Sequence, residues 1–192
     1  QMGYSFSIIH ALAYSFIGFQ TIYIATHWNP IFWNTACLIV NSGSLEEDEW
    51  LYEEDDEGNV FEKKEKTTDY AKIAKALGDI IARGIQVSLV DINKSASSFK
   101  PDTENNQILF GMKALSGINT DVITQVLENR PYANIADFMN KCKLNKTAMI
   151  SLIKSGAFDK ITKEWGEELG IEPRKVAMTY YLSKTCEPKK RL

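Results

Sequence analysis

The clearest hydrophobic pattern in this chain lies within residues 69–83. Apolar side chains recur there at intervals of three and four residues, as on one face of a helix. These positions are Tyr70, Ile73, Ala74, Leu77, Ile80 and Ile81. Thr68 or Asp69 is suited to cap the start of this helix, and Gly84 is suited to follow its end. We therefore predict an amphipathic helix with one buried face.

Short elements separated by polar turns follow this helix. Residues 85–89 alternate between apolar and polar side chains, as in a short strand, and residues 91–95 form a polar turn. Residues 110–130 predict two short helices joined by a tight turn at residues 116–119. A helix capped by Asn134 over residues 134–142, a helix capped by Asn145 and closed by Gly156, and a helical tail after residue 159 complete the pattern.

The first part of the chain is apolar and aromatic almost throughout. Residues 8–40 predict two helical stretches, broken near residues 28–30, that are too apolar to be a free-standing pair. Residues 8–26 have about the length of a membrane-spanning helix. They contain polar side chains, however, and no Lys or Arg flanks them, as a signal peptide would require. We therefore favour burial of these helices against other protein over insertion in a membrane.

A strongly acidic segment over residues 43–68 interrupts this pattern. Apolar residues at 50–52 and 60–61 flank a turn-like sequence at residues 56–59, which favours a small protruding β-hairpin or an ordered loop. The fold class that we predict is therefore mainly α, with this segment as a small β-hairpin insertion.

The charge of the chain is divided unevenly. The net charge is −3, but residues 1–62 contain ten Asp or Glu and no Lys or Arg. All 22 basic residues follow, so the remainder carries a charge of about +7. The C-terminal two thirds can approach a polyanion, whereas the first third, taken alone, would repel one.

Cysteine and histidine are too sparse to form a disulfide framework or a zinc site. Cys37, Cys142 and Cys186 are isolated, and His10 and His27 stand alone. A reducing cytoplasm is therefore the expected location.

The turn at residues 116–119 has the features of a phosphate-binding turn. Gly117 can supply a positive φ and an open surface, and the free N–H groups at the start of the next helix favour an anion. Asn119 stands where a second glycine is usual, and asparagine is the residue after glycine that best adopts the left-handed conformation. Lys113 offers a positive charge, while Asp121 opposes an approaching anion. From these residues alone, a simple corner of the core is an equally good interpretation.

Five segments, in order, resemble motifs of the bacterial and phage C-family replicative DNA polymerases, whose type member is the DNA polymerase III alpha subunit. They are GYSFSIIHALAYS (3–15) with FQT (19–21), ATHW (25–28) followed by a proline, GIQV (84–87) with DINKS (91–95), FGMKALSGIN (110–119), and LNK (144–146) with LIKSGAFD (152–159). The resemblance covers roughly residues 3–160, and the acidic segment looks like an insertion relative to it.

The resemblance implies three domains. Residues 1–102 correspond to the distal fingers, residues 103–160 to a tandem helix-hairpin-helix DNA-binding domain, and residues 161–192 to a C-terminal helical tail. In the family, the metal-binding aspartates for nucleotidyl transfer lie in an upstream palm. We therefore expect this chain to be a piece of a larger nucleotidyltransferase, inactive alone and without a cofactor, with Mg²⁺ held in the missing palm.

The fingers motif departs from the family at its basic positions. Ile8 and Ala25 replace two lysines that would face triphosphate or primer–template phosphates. A divergent, virus-encoded polymerase is one explanation of these replacements. His10 and Tyr14 lie one helical turn apart and remain candidates for nucleotide-proximal residues, although a histidine of the core is an equally good interpretation of His10.

The function that we predict is sequence-independent binding of duplex primer–template DNA by a polymerase segment. The predicted DNA-binding residues are Lys113, Ser116, Gly117, Ile118, Asn119, Thr120, Lys146 and Lys154. The predicted partners are the DNA, the rest of the polymerase chain and a sliding clamp or another replisome protein, with no membrane. The alternative is a protein-interaction module that docks a replication partner or an inhibitor through the aromatic and acidic first third.

Overall fold

The computed structural model describes residues 7–42, 52–54, 60–62 and 70–186 and is built mainly of helices, as predicted. The helices are α1 (Ile8–His27), α2 (Pro30–Asn41), α3 (Tyr70–Ala82), α4 (Thr120–Glu128), α5 (Ile135–Lys141), α6 (Lys146–Ser155), α7 (Lys163–Leu169) and α8 (Pro173–Thr185). The strands are β1 (Tyr52–Glu54), β2 (Val60–Glu62), β3 (Gln86–Val87), β4 (Lys100–Asp102) and β5 (Gln107–Leu109), and a 3-10 turn spans Met112–Ala114. The first four residues of the fingers motif and the basic run at 189–191 lie outside the described residues.

The two predicted N-terminal helices form α1 and α2. Ser7 caps α1 by accepting a hydrogen bond from the His10 N–H, and Asn29 caps α2 with Pro30 in its first turn. In the described residues, α1 is the one helix long and apolar enough to cross a membrane by length and composition. None of its residues is buried, and large side chains such as Leu12, Phe16 and Phe19 are more than half exposed.

The acidic segment contains the predicted β-hairpin. Strands β1 and β2 pair antiparallel, with Tyr52 opposite Glu62 and Glu54 opposite Val60. The remainder of the acidic segment, and the two predicted capping residues of α3, lie outside the described residues.

A first hydrophobic core joins α2 and α3 to a small mixed sheet. The strand order is β3–β5–β4, with β3 parallel and β4 antiparallel to β5. Ile31 and Leu38 of α2 belong to the same core as Ile73 and Ile80 of α3, with Leu77 packed against it. The predicted face of α3 is therefore buried only along its centre, because Tyr70, Ala74 and Ile81 are exposed. The predicted strand over residues 85–89 is shorter than expected: only Gln86 and Val87 pair with β5, and the Ser88 N–H adds one hydrogen bond of 2.9 Å to the Ile108 carbonyl.

A second hydrophobic core holds the C-terminal helices together. Phe138 of α5 lies at its centre, with its ring edge-to-face against Tyr132 and Phe158 at centroid distances of 4.8 and 4.9 Å. Side chains from α4, α6 and α8 fill the rest of this core. Asn134 and Asn145 cap α5 and α6 through hydrogen bonds from Asp137 and Ala148, as predicted. Phe110 packs against both cores, and the domain boundaries remain a prediction.

A candidate nucleic-acid interface

The turn between the 3-10 turn and α4 is tight and open to solvent. Gly117 has φ +77°, which confirms the expected need for glycine at this position. Ser116, Gly117, Asn119 and Thr120 are exposed and Ile118 is half-buried. The predicted first helix of the hairpin is reduced to the 3-10 turn, because residues 115–119 leave the helical path before α4 begins.

The expectation that Asn119 takes a left-handed conformation is wrong. Its φ is −97° and its ψ is 172°, so the backbone is extended there. The side-chain oxygen of Asn119 instead accepts a hydrogen bond of 3.0 Å from the Val122 N–H and caps α4. A capping residue needs an extended backbone, so asparagine serves the start of α4 better than a glycine would.

Several backbone donors at this turn have no acceptor among the residues that the structure describes. Within the described chain, the N–H groups of Gly117, Asn119 and Thr120 donate no hydrogen bond to protein. They lie on an exposed surface at the positive end of the α4 dipole. The turn therefore presents main-chain donors that an anion such as a phosphate can accept.

Helix α6 flanks this turn and adds basic residues to it. The Ser151 hydroxyl donates a 2.6 Å hydrogen bond to the Ser116 carbonyl. A Cβ placed on Gly117 would lie 3.1 Å from the Thr147 methyl group, so the first turn of α6 abuts the glycine. Lys146 and Lys154 are exposed on the same helix. Thus the structure brings the predicted turn residues beside the helix that carries two of the predicted lysines.

The other predicted site residues occupy different surroundings. Lys113 lies in the 3-10 turn just before the hairpin, half-buried, with its N–H donating to the Ser97 carbonyl at 2.9 Å. His10 and Tyr14 are exposed on α1, with ring centroids 4.6 Å apart. None of the described contacts joins these two residues to the turn. In the described residues, no group of three or more His, Cys, Asp or Glu side chains could hold a metal ion.

The second glycine turn, which follows α6, is closed. Gly156 also has a left-handed conformation, with φ +87°, but it is buried. Its N–H donates to the Ile153 carbonyl, and the Ala157 N–H donates to the Leu152 carbonyl. The Arg174 guanidinium lies over it, donating from Nε to both Asp159 carboxylate oxygens at 3.0 and 3.3 Å. The main chain of this turn is therefore not available to an anion.

A network of polar contacts joins the turn at residues 91–95 to the segment after α4. The Asn93 amide donates to the Tyr132 carbonyl at 2.9 Å, and its oxygen accepts from the Tyr132 N–H at 2.8 Å. Arg130 donates from Nε to the Ile92 carbonyl at 2.7 Å and from Nη2 to the Ser95 carbonyl at 2.6 Å. Burial lowers the pKa of the Arg130 guanidinium.

The same turn is tied to the second glycine turn. The Ile92 N–H donates to the Ala157 carbonyl at 2.9 Å, and Lys160 pairs with the Asp91 carboxylate at 2.8 Å. At Tyr132, which bonds to Asn93 of the same turn, burial and a hydrogen bond with Cys142 raise the pKa of the phenol well above its usual range. These contacts fix the ends of α4 and α6 relative to one another.

Sequence analysis missed four residues of this arrangement, namely Thr147, Ser151, Arg130 and Arg174. Thr147 and Ser151 share one face of α6 with the predicted Lys154, at spacings of four and three residues. Once α6 was predicted, this spacing could have indicated both residues. No local pattern indicates the partners of Arg130 and Arg174, because these lie 15 or more residues away in the chain.

The comparisons with known proteins agree with this geometry. A family described as a helix-hairpin-helix motif matches residues 84–166. The whole chain is 41% identical to the probable DNA polymerase YorL of Bacillus subtilis strain 168 and to the DNA-directed DNA polymerase of Bacillus phage SPbeta. Over 81% of the chain, it is 31% identical to the DNA polymerase III subunit alpha of Thermus aquaticus.

Over its whole length, this chain is similar to one segment of these DNA polymerases. It spans 14% of the length of the Bacillus and phage relatives and 11% of the Thermus protein. Within this polymerase segment, the helix-hairpin-helix match runs from Gly84 to Gly166 and includes both glycine turns. The predicted family resemblance and the mainly helical fold are therefore confirmed.

Proposed function

We propose that this chain holds duplex primer–template DNA for a C-family DNA polymerase by contacting the phosphate backbone. The observation that supports the proposal best is the exposed turn at Gly117, beside α4 and α6, whose N–H groups have no acceptor among the described residues. Contacts to phosphate oxygens carry no base information. The binding is therefore expected to be independent of sequence and to weaken with salt.

The proposed contacts have two parts. The main-chain N–H groups of Gly117, Asn119 and Thr120 hold one phosphate, helped by the α4 dipole. Exposed lysines on α6, Lys146 and Lys154, supply charge along the adjacent backbone. The carboxylate of Asp121 in the first turn of α4 limits the affinity, since it repels the same anion.

The remaining features belong to a larger polymerase in this proposal. The exposed apolar side chains of α1 are then covered by the rest of the polymerase chain rather than by a membrane. The polymerase works inside the cell and adds deoxynucleotides to a primer, using Mg²⁺ held outside this chain. His10 and Tyr14 on α1 remain candidates for residues close to the incoming nucleotide. Contact with a sliding clamp remains a prediction.

The test is titration of a fluorescent duplex with the chain at two salt concentrations. We expect binding at low salt that weakens steeply as salt rises. Lys146→Glu is expected to weaken binding about tenfold, because it replaces an attraction with a repulsion at the proposed phosphate. If the chain does not bind the duplex even at low salt, the proposal is wrong.

A matched control variant is available on a neighbouring helix. Lys163 is the first residue of α7, as Lys146 is the first residue of α6, and both are exposed. Lys163→Glu makes the same change in net charge away from the Gly117 turn. Equal losses of affinity in the two variants would mean that binding follows net charge and not the proposed site.

A further inference from the structure

We propose that Arg174 of α8 is the phosphate-binding group of the second glycine turn, where its guanidinium replaces the main-chain N–H groups that serve the first. This inference rests on the proposed function and adds a binding residue from outside the predicted helix-hairpin-helix domain. It assigns the start of α8 to the DNA-binding surface.

The first argument is the position of the guanidinium over Gly156. A Cβ placed on this glycine would lie 2.7 Å from Arg174 Nη2 and 2.8 Å from an Asp159 oxygen. The arginine thus occupies the surface that the bare glycine leaves open. In the first turn, the corresponding position meets only the Thr147 methyl group, at 3.1 Å.

The second argument is the donor capacity that Arg174 retains. Its Nε donates to Asp159, and its Nη1 donates to the Lys154 carbonyl at 3.3 Å. Within the described chain, Nη2 donates no hydrogen bond, and the side chain is 43% exposed. A guanidinium held in this way keeps N–H groups for a phosphate oxygen while its orientation is fixed by protein.

The third argument is that the two turns share one face of α6. Thr147 contacts the first turn, Ser151 bonds to it, and the Lys154 carbonyl contacts Arg174. These α6 positions are spaced by four and three residues, which places them in a stripe along the helix. From Thr147 to Lys154 the stripe rises about 10 Å, comparable with three phosphate steps along the axis on one DNA strand.

The contact with Asp159 does not prevent this role. Both side chains of the pair are partly exposed, at 43% and 30%, so water screens the attraction between them. A phosphate can therefore approach the free side of the guanidinium without breaking a buried ion pair. The exposed Lys154 lies next to the same group and adds a second positive charge.

The experiment measures duplex affinity and its salt dependence for the full chain carrying Arg174→Met. We expect about tenfold weaker binding at low salt, as for the loss of a charge-assisted hydrogen bond, and a salt slope reduced by about one. Arg174→Lys is expected to restore the salt slope and part of the affinity. Lys175→Met, which removes an exposed charge from the same helix, serves as the matched control and is expected to have a smaller effect.

A structural role for Arg174 would give a different result. Arg174→Met would then lower the melting temperature but leave the affinity and salt slope of the folded chain unchanged. That outcome, with Lys146→Glu still weakening binding, overturns this inference and leaves the proposed function standing. No binding by the unaltered chain overturns both.

A second variant keeps the test valid if Arg174→Met fails to fold. Asp159→Asn frees Arg174 and is expected to tighten duplex binding by more than Glu172→Gln, which removes an exposed carboxylate beside Arg174 in the chain. In the double variant with Arg174→Lys, the gain from Asp159→Asn is expected to shrink. Equal gains from the two acid-to-amide changes would overturn the inference.

Discussion

The two glycine turns of this segment share a backbone conformation and differ in what surrounds it. Gly117 and Gly156 both follow a serine and both have φ near +80°. The first turn is exposed, with N–H groups that have no acceptor in the described chain. In the second turn, the N–H groups close the end of α6, and Arg174 covers the glycine.

The difference shows that one local motif can serve two purposes. At Gly117, the left-handed conformation lies in an exposed turn whose main-chain donors have no acceptor among the described residues. At Gly156, the same conformation ends a helix and turns Ala157 and Phe158 into the core. A glycine turn thus offers its main-chain N–H groups to an anion only where the tertiary structure leaves them uncovered.

The largest expected effect comes from apolar side chains one or two residues after the glycines. Phe158 is fully buried against Phe138, whereas Ile118 is half-buried. Phe158→Ala should lower the free energy of unfolding by about 4 kcal/mol, because it leaves a cavity in the second core. Ile118→Ala should lower it by about 1 kcal/mol. Urea denaturation measures both, and similar losses would contradict the contrast between a closed and an open turn.

The next effect concerns the contacts that join the turn at residues 91–95 to the segment after α4. Arg130→Met removes two hydrogen bonds from a charged donor to the Ile92 and Ser95 carbonyls. We expect a loss of about 3 kcal/mol in thermal or chemical unfolding, since both acceptors lose their donor. Arg174→Met, at a more exposed guanidinium, is the comparison variant and should lose less than half of that. A larger loss for Arg174→Met would mean that the second turn depends on its ion pair.

A smaller effect is expected when a methyl group is added to each glycine. Gly156→Ala brings a Cβ against both Arg174 and Asp159 in a strained backbone, and should lower the free energy of unfolding by about 2 kcal/mol. Gly117→Ala meets only Thr147, and should lower it by about 1 kcal/mol. Parallel urea titrations give the difference. A greater loss at Gly117 would show that the first turn is the more constrained one.

The smallest effect should come from the hydrogen bond that joins α6 to the first turn. Ser151→Ala removes the donor to the Ser116 carbonyl, an exposed acceptor that water can satisfy instead. We expect a loss of at most about 1 kcal/mol in stability, with faster amide exchange at Gly117. Ser183→Ala on α8 is the control for the loss of a hydroxyl, because this exposed serine donates a 2.7 Å hydrogen bond to the Tyr180 carbonyl of its own helix. Unchanged exchange at Gly117 would show that α6 does not hold the turn.

Much of the local structure was readable from the sequence because it depends on neighbouring residues. The apolar spacing located α3 and the centre of its buried face, and Asn134 and Asn145 marked the starts of α5 and α6. The glycine at position 117 indicated its positive φ. These features are set within one or two turns of chain, where spacing and side-chain chemistry decide the conformation.

The prediction for Asn119 failed because two local roles competed at one position. Asparagine is favoured both in the left-handed conformation and as a helix cap. Because α4 begins at Thr120, the Val122 N–H lacks a partner within the helix, and Asn119 takes the extended conformation in which its side chain caps that N–H. The predicted length of the strand over residues 85–89 was also too great, because only two of its residues, Gln86 and Val87, pair with β5.

The sequence by itself determined the helical segments, their caps, the positive φ of Gly117 and the resemblance to a polymerase family, because each depends on nearby residues or on ordered motifs. Tertiary structure alone decided which glycine turn is open. Arg174 reaches Gly156 from 18 residues further along the chain, and Ser151 reaches Ser116 from a helix that follows 30 residues after the turn begins. Contacts of that separation are set by packing of the second core, and no local pattern encodes them.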